Sequence, residues 1–205
     1  MQITWHGHSC FTLDTGLGTV VLDPYEDGTV PGLPPLRLSA EMVLCSHGHP
    51  DHSAIQCVQL TGGGAEFSFR EIPSFHDGEF GALRGRNTMY AITADDFTVL
   101  HCGDLGQMPS PAQYEAMGSP DVLLIPVGGH YTIDPAQARE IALRTGARVV
   151  IPMHYRGEGF GYDVLATVQD YTALCSDVVF AESNTVTVDK RTAPQTLVLK
   201  CTCEK

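Results

Sequence analysis

The chain opens on short runs in which apolar and polar residues alternate, the period of a half-buried strand. Residues 2–5, 10–15 and 19–22 read as strands, with Gly16 and Gly18 making the tight turn between the last two. Residues 42–45, 66–72, 88–93 and 97–101 continue the pattern, and Asp95-Asp96 in TADDFTV marks a hairpin. The texture then changes. Residues 122–126 and 149–152 are apolar without alternation, as expected of strands buried on both faces. Helical spacing appears between and after them. Asp134 suits an N-cap, Pro135 the first helical position and Gly146 the C-terminal cap, with Ala138, Ile141, Ala142 and Thr145 along one face. A second helix is predicted from about Asp163, with Val164, Val168, Tyr171 and Cys175 as its stripe. Shorter helices are expected after Asp51 and over residues 111–117. Residues 178–180, 185–188 and 196–201 return to strands. Such a mixture predicts β-sheets covered by helices in one continuous stack of layers.

Composition narrows the class. With 205 residues, 43% hydrophobic and 18% charged, the chain is expected to form one compact domain, 1–205. The glycines and prolines are scattered, without repeat or linker. A net charge of -12 and no Lys/Arg cluster argue against a nucleic-acid partner, which would need a basic face. The opening MQITWHGHSC lacks a basic stretch followed by an apolar run, and no apolar run approaches a membrane span. No membrane association is therefore expected. Seven cysteines, odd in number and spread through apolar stretches, read as buried thiols of a reducing cytoplasm. Cys201-Thr-Cys203 reads as the end of a strand. The sequence leaves the oligomeric state open.

The segment CSHGHPDHS changes the picture most. His47, His49, Asp51 and His52 fall within six positions, and imidazole and carboxylate are ligands for zinc, manganese or iron. His47 and His49 alternate, so both can point the same way on a loop leaving a strand. Asp51 and His52 can face a second ion. Four ligands from six residues cannot wrap one tetrahedron, so two metals sharing the segment is the better geometry. Further ligands are available at the exits of other predicted strands: His76 in PSFHD, Asp104 in LHCGDLG and His154 in VVIPMHY. Loops at strand ends are where separated segments of a layered protein converge.

SHGHPDHS has the H-x-H-x-D-H form of the metallo-β-lactamase superfamily. VVLDP with Asp23, FHD with His76, HCGDLG with Asp104 and IPMHY with His154 resemble the remaining motifs, in order. WHGHSCF, RGRNTMYAI and DVLLIPVGGHYTIDPAQA are similar to a small single-domain group of metal-dependent hydrolases within it. The resemblance covers almost the whole chain. It implies an α/β fold, the four-layer αββα sandwich of two mixed β-sheets with helices on the outer faces. It implies two divalent ions, zinc foremost, with manganese, iron and nickel also compatible. His47, His49 and His76 would hold one; Asp51, His52 and His154 the other; Asp104 would bridge them. Asp23 would support the histidine loop without touching metal, or cap a turn before Pro24. Asp51, Asp104 and His130 are the candidate catalytic groups, His130 as a pocket residue after Gly128-Gly129. His8 reads either as a donor beside the site or as a turn residue, and Arg86 either binds a substrate anion or ties down a loop. Asn87 is expected to hold a loop, His6 to be structural, and His101 and Cys102 to be core.

Two divalent ions roughly 3.5–4 Å apart would supply a bridging hydroxide at neutral pH, so no Ser/His/Asp or Cys/His set is required. The implied activity is hydrolysis of a small-molecule phosphoester, ester, lactone or amide. The alternatives are a di-iron redox protein on the same fold and a non-catalytic metal-binding module. Redox relatives resemble a variant with a carboxylate at the second histidine of the motif, so His49 favours hydrolysis.

Overall fold

The structure is a computed structural model and describes residues 1–63 and 67–203. In chain order its strands are β1 (Gln2–Gly7), β2 (Cys10–Asp14), β3 (Thr19–Leu22), β4 (Leu38–Ala40), β5 (Met42–Leu44), β6 (Val58–Leu60), β7 (Ser68–Phe75), β8 (Arg86–Ala94) and β9 (Phe97–His101). Helix α1 (Pro111–Met117), β10 (Val122–Pro126), α2 (Pro135–Thr145), β11 (Val149–Met153), α3 (Val168–Thr172), β12 (Val178–Phe180), β13 (Thr185–Thr187) and β14 (Gln195–Val198) follow. Two mixed sheets form. One runs β13-β1-β2-β3-β5 and the other β12-β14-β11-β10-β9-β8-β7, with a small β4-β6 ribbon lying against β3. This is the sandwich expected from the motifs, with few and short helices. No helix among the described residues is long and apolar enough to cross a membrane.

The unbroken apolar runs explain the central strands. All five residues of β10 and all five of β11 are buried, and these strands pair in parallel at the middle of the larger sheet. Helix α2 covers β10 with Ala138, Ile141, Ala142 and Thr145, the face read from the sequence. Its start is set by a capping box between Asp134 and Gln137, and its end by Gly146 in the left-handed conformation. The β8–β9 turn is the two-residue hairpin at Asp95 and Asp96, both at positive φ. Aromatic residues of the two sheets and their loops meet in the core, Trp5 lying 6.5 Å from Phe11 and 5.3 Å from Tyr155, ring to ring.

Four expectations are corrected. The second helix begins at Val168, not Asp163, and Val164 is exposed. The chain at 166–167 is held extended, because Arg156 N donates to Ala166 O and Arg156 bridges Thr167, and an extended backbone cannot also be helical. After Asp51 there is a single 3₁₀ turn, Ile55–Cys57, in place of a helix. Strand β7 runs on to Phe75; Pro73 is tolerated because β7 is an edge strand. The first residue of that expected strand, Glu66, lies outside the described residues. Strand β14 stops at Val198, so Cys201 and Cys203 follow it rather than end it.

Strand direction places the site. Strands β9, β10 and β11 are parallel, and β7 points the same way because β7–β8 and β8–β9 are both antiparallel. In the smaller sheet β1 and β5 share a direction by the same argument through β2 and β3. The C-terminal ends of β7, β9, β10 and β11 therefore lie along one edge, and those of β1 and β5 along one edge of the other sheet. The loops leaving them approach closely. Gly103, at φ +53, packs against the Ser46 side chain, and a Cβ on Gly106 would overlap the main chain at His76 and Asp77. Gly106→Ala is expected to destabilise the fold by about 1–3 kcal/mol, read as a lowered denaturant midpoint with unchanged slope.

Candidate metal centre

The site is built outward from Asp23, fully buried at the end of β3 with φ +44. Its Oδ1 accepts from Ser46 N at 2.6 Å. Its Oδ2 accepts from Ser46 Oγ at 2.7 Å, His52 Nδ1 at 3.0 Å and His101 Nε2 at 2.9 Å. Burial opposes the charge on this carboxyl, but His101 and His52 hold it well below the usual carboxylate range.

An ionised carboxylate only accepts, and that decides two tautomers. His52 must carry its proton on Nδ1 to donate to Asp23, and in the neutral ring this leaves Nε2 a lone pair. Ser46 Oγ gives its one proton to Asp23, so at 3.0 Å it accepts from His47 Nδ1–H. His47 Nε2 is then also a lone pair, 3.1 Å from His49 Nδ1. One buried oxygen thus prepares two histidines as ligands, one directly and one through a serine.

Asp104 sits opposite. Its Oδ2 lies 3.3 Å from His52 Nε2, 3.3 Å from His76 Nε2 and 3.2 Å from His154 Nε2. Its Oδ1 and His52 Nε2 are buried without a hydrogen-bond partner among the described residues. Asn87 fixes the loop as expected: Oδ1 accepts from Asp104 N at 2.9 Å, while Nδ2 donates to Ser74 Oγ and Cys102 O. Burial opposes the Asp104 charge, yet His154 and His52 hold its carboxyl far below the ordinary range. On the other flank Asp51 Oδ2 lies 3.2 Å from both His8 Nε2 and Tyr162 Oη, and 3.8 Å from His52 Nε2. The His8 ring lies 4.1 Å from that of His154.

Ligand atoms of His47, His49 and His76 lie within 4.8 Å of one another, as do those of His47, His52 and Asp104, and those of His8, His52 and His154. The electrostatics suit a cation. Burial, with the neighbouring His52, pushes the His47 imidazole down to about 3, so it stays neutral as a ligand must, and burial with His154 pushes His8 to about 4. His52 goes the other way. Burial opposes its charge, but Asp104 and Asp23 raise it well above the usual range. Two buried carboxylates thus draw a positive charge onto the ring between them. A metal ion there would take the proton's place, and the two unpartnered atoms, His52 Nε2 and Asp104 Oδ1, fit that role.

Five of the seven proposed ligands, His49, Asp51, His76, Asp104 and His154, line one cavity of about 330 Å³, and His47 and His52 cluster with them. Two pocket candidates do not. His130 is exposed, because the turn at Gly129 and His130, both at positive φ, swings it outward and brings Tyr131 to the cavity instead. Arg86 is exposed as the first residue of β8. Alternation turns it to the face opposite the buried Asn87, and Arg84 lines the cavity. His8 is buried against Asp51, a donor position rather than a plain turn. His101 is core, as expected, but also contacts Asp23. Cys102 is fully buried and burial pushes its thiol up, away from the thiolate. His6 binds Thr12 Oγ1 at 2.7 Å. Sequence reasoning missed Arg84, Tyr131 and Tyr162. Only RGR flanking Gly85 signalled the first, and nothing in the sequence said which arginine faces inward.

A family model described as a beta-lactamase superfamily domain matches residues 2–154. A metal-dependent hydrolase of Methanoculleus marisnigri is 30% identical over 188 residues, 76% of this chain and 81% of the relative. One from Thermoplasma acidophilum is 28% identical over 187 residues, covering 76% and 83%. The crystal structure of a protein from Thermotoga maritima, described as a candidate Zn-dependent hydrolase of the metallo-beta-lactamase superfamily, superimposes with a TM-score of 0.78. It is 31% identical, over 97% of each chain.

Asp23→Asn is expected to weaken zinc binding by about 10- to 100-fold, measured by competition with a chromogenic chelator. Ser46→Ala should weaken it less, since only the His47 tautomer is released. His130→Ala should leave zinc stoichiometry and melting temperature at wild-type values, measured on the same preparations.

Proposed function

This chain belongs to the metallo-β-lactamase superfamily, and from that premise we propose that it is a dinuclear metal-dependent hydrolase of a small molecule. Zinc is the foremost candidate ion, with manganese, iron and nickel also suited to the donors. The bond cleaved belongs to an ester, phosphoester, lactone or amide. We place the activity in the cytoplasm, where free thiols persist. The observation that carries this reading is Asp104: one buried carboxylate oxygen faces three imidazole nitrogens at 3.2–3.3 Å while its second oxygen has no hydrogen-bond partner among the described residues.

In this reading His47, His49 and His76 would hold one ion, Asp51, His52 and His154 would hold the other, and Asp104 would serve both. A carboxylate suits the bridge because each oxygen can bind one cation and its charge offsets their repulsion. When bound, such ions activate water and polarise the bond it attacks. The protein's own groups do the rest. Asp23 and Ser46 keep His52 and His47 in the ligating tautomer. His8 Nε2–H steadies Asp51. Burial and the nearby Asp51 raise the Tyr162 phenol, which therefore keeps a proton on Oη at the cavity wall. Cys102 takes no part.

Chelation is expected to abolish turnover, and zinc to restore it, in a screen of ester, lactone and phosphodiester substrates. Asp104→Asn should lose one metal equivalent and lower kcat by about 100-fold or more while the melting transition survives. Two tightly held metals and normal turnover in that variant would remove the bridge.

A further inference from the structure

Asp77, next to His76, folds the following loop around its own carboxylate. Oδ1 accepts from Glu79 N at 2.8 Å and Gly81 N at 2.9 Å, and Oδ2 from Leu83 N at 3.1 Å and Arg84 N at 2.7 Å. His76 N closes the loop onto Gly85 O at 3.1 Å. One buried side chain therefore fixes the backbone at both His76 and Arg84, and Arg84 enters the same cavity as the metal-site histidines.

Arg84 is half-buried there, and it is the sole cation lining the cavity among the described residues, in a chain of net charge -12. Arg37, Arg148 and Arg191 each pair with an aspartate; Arg84 makes no ion pair among the described residues. Its guanidinium carbon lies 5.5 Å from the centre of the Tyr131 ring. A guanidinium held against a ring keeps its N–H donors available, and their fork matches a carboxylate or phosphate. Tyr131 and Tyr162 meet edge to face at 6.0 Å, and Tyr162 reaches Asp51. The cavity thus has the candidate metal site at one end, an aromatic wall and, among the described residues, a single unpaired cation beyond it. Its volume of about 330 Å³ is small for a ligand site.

We infer that the substrate carries an oxyanion, a carboxylate or a phosphate, separate from the scissile group, and that Arg84 binds it. The inference rests on the hydrolase reading for what happens at the other end. A neutral substrate would leave the guanidinium without a partner. An anionic one is selected against neutral analogues, and the two tyrosine rings favour a flat or apolar stretch between the anion and the scissile bond.

The test uses zinc-loaded full-length protein as wild type, Arg84→Gln, Arg84→Lys and Arg86→Gln, each checked by thermal melting. Calorimetric titrations with phenol, 4-hydroxybenzoate and 4-hydroxyphenylphosphonate, none of which carries a hydrolysable bond, measure binding without turnover; the two anions distinguish carboxylate from phosphate chemistry. Wild type should prefer at least one anion over phenol. Arg84→Gln should weaken that anion by about 10- to 100-fold, with partial recovery in Arg84→Lys and no change in Arg86→Gln. In parallel, kcat/KM for phenyl acetate, 4-acetoxybenzoate and 4-acetoxyphenyl phosphate should fall in Arg84→Gln for the preferred anion only. Equal affinity of wild type and Arg84→Gln for both anions, or no preference over phenol, overturns the inference. Anion binding that depends on Arg84, without hydrolysis of any ester, phosphoester, lactone or amide, would sustain it and count against the hydrolase reading instead.

Discussion

The whole centre depends on one buried oxygen, Oδ2 of Asp23. Three donors converge on it, Ser46 and His52 from the histidine segment and His101 from β9. An asparagine in the same place would offer one acceptor and turn N–H groups toward N–H groups. The carboxylate instead ties the histidine segment to the end of β3 and to β9, and orients two rings whose Nε2 atoms face His49 and Asp104. Aspartate is also among the residues that accept the left-handed backbone found there, at φ +44.

A second carboxylate makes the arrangement depend on charge. Asp23 and Asp104 are both buried, with His52 between them, Nδ1 toward one and Nε2 toward the other. Burying two anions is costly unless positive charge compensates them. The surrounding imidazoles do not all supply it, since burial keeps His47 and His8 neutral. The folded chain therefore holds a deficit of positive charge at the place where its ligand atoms converge. A metal ion held there would offset that deficit and so would stabilise the surrounding loops.

The same loops separate the chemistry from its selectivity. His76 and Arg84 belong to one turn organised by Asp77, yet one faces the ligand cluster and the other the aromatic wall. Residues that would hold metal come from strand exits fixed by sheet hydrogen bonds. Residues that would meet the substrate lie further along each loop, at Arg84 and Tyr131, where turn geometry rather than the sheet sets direction. Such positions can change without disturbing the ligands, which is how one scaffold serves many substrates.

Much was legible from residue type alone. The candidate ligands His47, His49, Asp51, His52, His76, Asp104 and His154 could be named because imidazole and carboxylate are scarce, chemically committed and placed at strand exits. Strands β10 and β11 and helix α2 were legible because burial imposes unbroken apolar runs and because Asp134, Pro135 and Gly146 act through bonds to near neighbours in sequence. What the tertiary structure alone decided is everything set by direction. Arg84 and Arg86 are chemically identical and two residues apart, and only the turn closed on Asp77 brings Arg84 to the cavity while the first position of β8 leaves Arg86 in solvent. His130 and Tyr131 are adjacent, and a turn with positive φ chooses the tyrosine. The expected helix from Asp163 failed because a long-range bridge to Arg156 outweighed local spacing. Residue chemistry is a local property and can be read along the chain, whereas the face a side chain presents depends on partners distant in sequence.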